Sequence, residues 1–405
     1  MTSSTPASEQ PHPTGAAALS RLLGATSVAD FAAAYWGRKP HRSAIGEVAD
    51  LLSSDAVDEL ISVRGLRAPF LRVAKDGKTF ADREFTSGGG VGAAVGDQLN
   101  DDLIWRHFES GATLVLQGLH RTHEPILRFT QDLAGDLGHP CQVNAYITPP
   151  QSTGFSDHYD IHDVFVIQIE GEKRWRIREP VWPLPLRDQP WDQHAGAVAA
   201  AANEEPLEEF VMTPGDVLYL PRGYLHSATA LGEVSIHLTI GVHQWTRQHV
   251  AEQLAAAALS RLADDESARG SLALGVDVGD TSTLGDDITA ARDALTAALA
   301  DLPDAAVAAA LAGRARAAQR SGPLAPLAQL RAARQGSDRV ELRAHLFPRL
   351  ERDPLRLITR LGTVPLQPAD EDEVAKLLEP GGPVTVSSDL AERLLRAGIC
   401  IPSTV

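Results

Sequence analysis

The chain has 405 residues, 53 acidic against 37 basic side chains, a net charge of −16 and 43% apolar residues. Its length exceeds the roughly 250–300 residues at which one core stops growing, so two or three domains are expected. The composition is too apolar for a disordered chain, and the acidic balance disfavours nucleic-acid backbones and anionic membranes as partners.

Residues 1–17 are rich in Ser, Thr and Pro and predict a disordered tail. They have neither the basic start nor the apolar segment of a secretory signal. Ser27, with Asp30 three residues on, predicts a helix that Gly37 and Pro40 end. A second helix is expected over 55–63. Runs 69–73 and 79–85 flank Asp76-Gly77, a hairpin signal. A helix over 101–109, a strand over 113–117 and a helix over 125–137 follow. Between Cys141 and Gln244 short β-branched or aromatic runs (142–147, 164–169, 173–178, 209–212, 217–220, 234–242) alternate with Pro/Gly turns, which predicts an antiparallel sandwich or barrel. After Trp245 the strands give way to Ala/Leu-rich helices at 250–262, 288–299 and 305–320, with a Gly/Asp/Thr-rich loop over 275–287. Val250, Leu254, Ala258 and Leu262 form one apolar stripe, expected to pack or to pair with a second copy. The remainder mixes a ribbon at 355–360 and 362–366 with helices at 370–378 and 389–397. This order suggests a winged-helix-like module. Nine basic and eleven acidic residues across 338–405 leave it at −2, where a DNA-reading module should be basic, so it reads as structural. No run approaches the ~18 apolar residues of a membrane helix. Two cysteines, Cys141 and Cys400, cannot build a disulfide framework, and a reducing cytoplasm is expected.

The informative segment is GFSDHYDIHDVFVIQIEGEKRWRI, residues 154–177. On a strand, His158 and Asp160 share one face, so an imidazole and a carboxylate converge on one point. A third ligand is expected from PGDVLYLPRGYLH, where a strand over 217–220 and a Pro221-Arg222-Gly223 turn deliver His226. That Pro-x-Gly-x-x-His ending resembles the second metal motif of cupin barrels. Two His and one carboxylate form a facial triad with open positions, pointing to Fe(II) rather than to zinc, whose structural sites want four ligands and typically Cys. His162 and His237 compete as ligands and are read as neighbours of the site or core histidines.

Lysine is rare here, 5 of 37 basic residues. Lys173 alternates with Trp175 and Ile177 on an apolar face, and an ammonium buried there is costly without an anion. The far carboxylate of 2-oxoglutarate is the natural anion beside a facial triad. Asn144 adds a hydrogen-bonding group to the same pocket, a weak signal alone.

HYDIHDVFVIQIEGEKRWRI together with GDVLYLPRGYLH resembles the JmjC-type 2-oxoglutarate oxygenases of the ribosomal oxygenase, or cupin-4, group. YWGRKP, NAYITPPQSTGF and LRAHLFPRLERDP extend the likeness over most of the chain. The resemblance implies an α+β chain: a double-stranded β-helix (cupin/jelly-roll) core with N-terminal helices, a helical dimerisation region and a C-terminal winged-helix-like domain. Applied here, these become a tail over 1–17, an oxygenase domain over 18–245, a helical region over 246–320 and a terminal domain over 321–405. It implies His158, Asp160 and His226 as catalytic iron ligands, Lys173 and Asn144 as cosubstrate-binding residues, O₂ as the oxidant, and hydroxylation of an arginine or histidine side chain of a protein substrate, with a basic ribosomal protein expected. Two other functions stay open: an oxygenase acting on a small molecule or peptide natural product, and a non-enzymatic metal-binding cupin regulator. The acidic run Glu204, Glu205, Glu208, Glu209 reads as a solvated loop or as an attractor for a basic polypeptide.

Overall fold

The computed structural model describes residues 17–75, 77–152, 156–318, 320–379 and 381–403. The expected tail over 1–16, Asp76 of the hairpin and residues 153–155 lie outside them. Ala17, expected in the tail, is the first residue of a helix. The chain divides into two compact units, 1–244 and 245–405.

The first unit runs α1 (Ala17–Leu23), α2 (Val28–Ala34), β1 (His41–Ala44), α3 (Ser54–Ser62), β2 (Leu71–Lys75), β3 (Lys78–Thr79), β4 (Thr86–Ser87), β5 (Gln98–Leu99), α4 (Asp101–Glu109), β6 (Thr113–Leu116), α5 (Leu119–Thr122), α6 (Glu124–Leu137), β7 (Cys141–Thr148), β8 (Asp163–Arg178), α7 (Ala195–Ala201), β9 (Glu208–Met212), β10 (Asp216–Leu220) and β11 (Leu225–Val242). Side-chain caps start the early helices: Ser27 accepts the Asp30 N–H, Ser53 that of Ala56 and Asn100 that of Leu103. The strand expected over 79–85 is instead a short β3 and a 3₁₀ turn, Asp82–Glu84, in which the Glu84 carboxylate accepts the Ala81 N–H. That local side-chain bond outcompetes strand pairing.

Nine antiparallel strands join in the order β1-β10-β8-β11-β7-β6-β2-β3, with β9 on the far half of β8. Two runs expected as separate strands are one: β8 is a single 16-residue strand. Its first half pairs β10, Val164 opposite Leu220 through Ile167 opposite Val217, and its second half pairs β9, Lys173 opposite Met212 through Ile177 opposite Glu208. The 18-residue β11 follows it along both halves, with a register shift between Leu231 and Ile236. Two long strands shared by two layers wind the sheet into a double-stranded β-helix. The bend sits at Gly171, whose φ is +64° and where a Cβ would lie 2.1 Å from the Val234 carbonyl oxygen, so only glycine fits.

The period-2 alternation sorts the faces. Val143, Ala145 and Ile147 of β7 and Phe165 and Ile167 of β8 join one core with the N-terminal helices. Tyr146 of β7 and Val164 and Val166 of β8 face the other way, into a cavity.

The second unit comprises α8 (Arg247–Asp264), α9 (Thr281–Ala300), α10 (Asp304–Ala318), α11 (Pro326–Gln335), β12 (Arg339–Leu342), β13 (Arg349–Arg352), β14 (Leu355–Thr359), β15 (Gly362–Pro365), α12 (Glu371–Leu378), β16 (Val384–Thr385), α13 (Ser388–Arg396) and β17 (Cys400–Pro402). The loop expected over 275–287 is shorter, because Asp280 caps α9 by accepting the Ser282 N–H. Small sheets β16-β12-β17 and β13-β14-β15 flank a core built from α11, α12 and α13. No single helix among the described residues is long and apolar enough to cross a membrane.

Candidate metal centre

His158 and Asp160 are not on a strand, as the two-residue spacing suggested; β8 begins only at Asp163. They lie on the segment entering it, held by an isolated bridge in which the His226 N–H donates to the His158 carbonyl (2.9 Å) and the His158 N–H to that of His226 (3.2 Å). The Gly223 N–H donates to the Asp160 carbonyl oxygen (3.0 Å). The three side chains still converge: one ligand atom from each of His158, Asp160 and His226 lies within 4.8 Å of the others. The ring centroids of the two histidines are 4.4 Å apart, and His226 Nε2 is 3.8 Å from Asp160 Oδ2.

The ring orientations are set from behind. His158 Nδ1 lies 2.7 Å from the Ser156 carbonyl oxygen and His226 Nδ1 lies 3.2 Å from that of Tyr224. With each Nδ1–H donated to a carbonyl, each Nε2 is left with its lone pair free to bind a metal. Burial lowers the His226 pKa to about 4, with the neighbouring His158 adding to the shift, so at neutral pH it is the unprotonated ligand form. Burial raises the Asp160 carboxyl, but His162, His226, His158 and Arg72 outweigh it and hold the group low. Two imidazoles and a carboxylate fit a divalent first-row metal and leave the remaining coordination positions to other ligands.

The same three residues line a cavity of about 250 Å³ with Arg72, Tyr146, Lys173, Trp175, Trp191 and His237 among its walls. Lys173 is 3% exposed. Its Nζ donates to Thr148 Oγ1 (3.1 Å) and lies 3.4 Å from His237 Nδ1. Burial pulls its pKa down to about 7, because these neutral neighbours do not balance its charge. His237 stacks on Tyr146 (centroids 4.8 Å) and meets the Trp175 edge. It lines the cavity without joining the ligand group. His162 also stands outside that group, 3.5 Å from the Gln142 amide and edge-on to His243. Asn144 shares the Tyr146 side of β7, yet its Oδ1 accepts the Gly118 N–H (3.1 Å) and it is not among the cavity's lining residues.

Sequence reasoning missed Arg72, Tyr146 and Trp191. Tyr146 was reachable by counting two residues on from Asn144; Arg72 and Trp191 come from a distant strand and a connection, with no local signal. The acidic run is only half a loop: Glu208 and Glu209 belong to β9, where Glu209 pairs with Arg176 (2.8 Å) and Glu208 with Arg42 (3.5 Å).

Residues 122–250 match the family model described as a JmjC domain. Among similar proteins, the bifunctional lysine-specific demethylase and histidyl-hydroxylase NO66 of Drosophila persimilis is 28% identical over 247 residues, covering 57% of this chain and 32% of that protein. Ribosomal oxygenase 1 of Gallus gallus is 28% identical over 228 residues, 55% of this chain and 36% of that protein. The chain therefore spans about a third of the length of these curated relatives. Among solved structures, Escherichia coli YcfD, a ribosomal oxygenase in complex with cobalt and 2-oxoglutarate, superposes with a TM-score of 0.54 at 16% identity. It covers 93% of this chain and 98% of its own, a likeness of fold.

Proposed function

We propose that this protein is an Fe(II)- and 2-oxoglutarate-dependent oxygenase that hydroxylates an arginine or histidine side chain of a protein, with a ribosomal protein as the expected substrate. The observation that carries this reading is the buried Lys173 sharing one cavity with the convergent His158, Asp160 and His226. A metal-binding regulator has no need for an ammonium buried among neutral groups; a dicarboxylic cosubstrate does.

In this reading His158, Asp160 and His226 hold the iron, and Lys173 holds the distal carboxylate of 2-oxoglutarate. When bound, iron, 2-oxoglutarate and O₂ supply an oxidative decarboxylation that yields succinate and CO₂ and leaves one oxygen atom on a substrate carbon. The protein's own part is positional. Thr148 and His237 engage two of the ammonium's three N–H groups, leaving the third for the carboxylate. Trp175, 6.0 Å from the His226 ring and roughly parallel to it, limits how far that ligand can swing. The names of the Drosophila and chicken relatives, and the cobalt and 2-oxoglutarate bound to YcfD, agree with this chemistry.

Asn144, outside the cavity lining, would support cosubstrate binding indirectly, through its bond to Gly118. We also propose that the helices over 246–320 pair two copies into a homodimer, that 321–405 is a winged-helix-like domain making no direct DNA contact, and that the protein works in the cytoplasm. The test of function is succinate formation from 2-oxoglutarate by the Fe(II)-loaded protein, with His226→Ala alongside. Turnover lost in the variant supports the reading; equal turnover in both overturns it.

A further inference from the structure

Asp163 is 1% exposed, carries a charge that burial penalises, and is not one of the convergent ligands. We propose that it is a positioning residue of the metal centre, fixing the turn that delivers His226 against the segment that carries His158 and Asp160. The proposal rests on reading those three residues as ligands.

Ladder pairing leaves a gap at this turn. The β8–β10 ladder ends with Val164 opposite Leu220, and the β8–β11 ladder begins with Arg178 opposite Leu225. Residues 221–224 between them belong to neither ladder. Asp163 spans the gap with both oxygens. Its Oδ1 accepts the Arg222 backbone N–H (2.9 Å), inside the turn, and its Oδ2 accepts the Tyr219 hydroxyl (2.5 Å), just before it. Tyr219 has no freedom to turn away, because its oxygen already accepts the Gly37 N–H (2.8 Å), which directs the hydroxyl proton at Asp163. Tyr219 is also stacked on Trp36.

One residue further, the Gly223 N–H reaches the Asp160 carbonyl, and the His158–His226 bridge follows. The segment 158–163 thus grips the segment 219–226 at successive levels, and Asp163 is the member of the first segment whose side chain bonds the turn backbone. The Tyr219 and Arg222 donors converge on it, and the Gln244 side-chain amide adds to them, so a carboxylate suits the position: it accepts from each, whereas an amide would turn an N–H toward one of them. Gly223, with φ +91° and a Cβ position 2.8 Å from the Trp182 carbonyl oxygen, leaves the turn little room to find another course.

The test uses the full chain and Co(II) as the probe, read by its d–d absorption, with the melting temperature of the metal-free protein measured in parallel. Asp163→Asn should weaken Co(II) binding at least tenfold and shift the d–d bands, because the ligand geometry changes. A melting temperature lowered with wild-type Co(II) affinity and spectrum would make Asp163 merely structural and overturn the proposal. Should Asp163→Asn fail to fold, Tyr219→Phe carries the test. It removes one of these bonds and should weaken Co(II) several-fold; unchanged affinity overturns the proposal. His226→Ala is the control. If it binds Co(II) as the wild type does, the ligand reading itself has failed, a result distinct from an effect confined to Asp163.

Discussion

At Lys173 a single residue links burial to function. Its pKa of about 7 in the free protein means that the ammonium is partly deprotonated at and above neutral pH. A bound carboxylate favours the charged form, so binding takes up a proton above that pH. The affinity for 2-oxoglutarate should therefore weaken as pH rises through about 7, seen by calorimetric titration in buffers of different ionisation enthalpy. Hydrogen bonds to charged groups contribute about 1.5–3 kcal/mol, so Lys173→Ala should raise the half-saturating 2-oxoglutarate concentration by roughly 10- to 100-fold while leaving metal content intact. Lys173→Arg should not restore it fully, because the forked group needs different room. Unchanged dependence in Lys173→Ala would remove the lysine from the site. Two further histidines set a global pH response. Burial lowers His139 and His243 from 6.5 to about 4. The unfolded chain then takes up protons that the folded chain refuses, and stability should fall as pH drops from 6.5 toward 4. Denaturant midpoints across that range check it; a midpoint that rises on acidification would contradict it.

Among the elements, β8 does the most. It carries Asp163 at its start, Lys173 past its bend and a turn of chain between two sheet layers. Gly171→Ala forces a side chain into the left-handed region and against the Val234 carbonyl. It should cost on the order of 1–3 kcal/mol and lower the melting temperature; a neutral result would mean that the bend is not fixed there. The strands that build the cavity were mostly legible in the sequence, since alternation of apolar and polar residues is a local property. Lys173, Trp175 and Ile177 turn out buried on one face, as their spacing indicated. The continuity of β8 and β11 was not legible, because Glu170-Gly171-Glu172 reads as a turn and only tertiary pairing keeps it in the ladder. His158 and Asp160 do converge, although their local structure was misjudged: the convergence comes from the bridge to His226, which no spacing within the motif encodes. Asp163 passed unnoticed inside HYDIHD because its partners, Tyr219 and Arg222, lie more than 50 residues away.

Across the whole molecule the two units differ in how they bury apolar surface. The first has a broad core running from the N-terminal helices into the sheet. In the second, the helices at 246–320 contribute, among the described residues, only Ala258 and Val307 to the buried set, while Val250, Leu259, Ile288 and Leu299 stay exposed. An apolar surface of that kind calls for a partner, and a symmetric pair is the commonest oligomer. Sedimentation at micromolar concentration should give twice the 43.3 kDa chain mass; a monomer would contradict the proposed pairing without touching the metal centre.

In the proposed function this cavity puts one oxygen atom from O₂ on a protein side chain. The decisive experiment incubates the Fe(II)-loaded protein with 2-oxoglutarate and ribosomal proteins from cells lacking this chain, under isotope-labelled O₂, and maps the products by mass spectrometry. One labelled oxygen is expected on an arginine or histidine residue, absent with Asp160→Ala. Succinate formation with no labelled protein residue would contradict it and point to a small-molecule substrate.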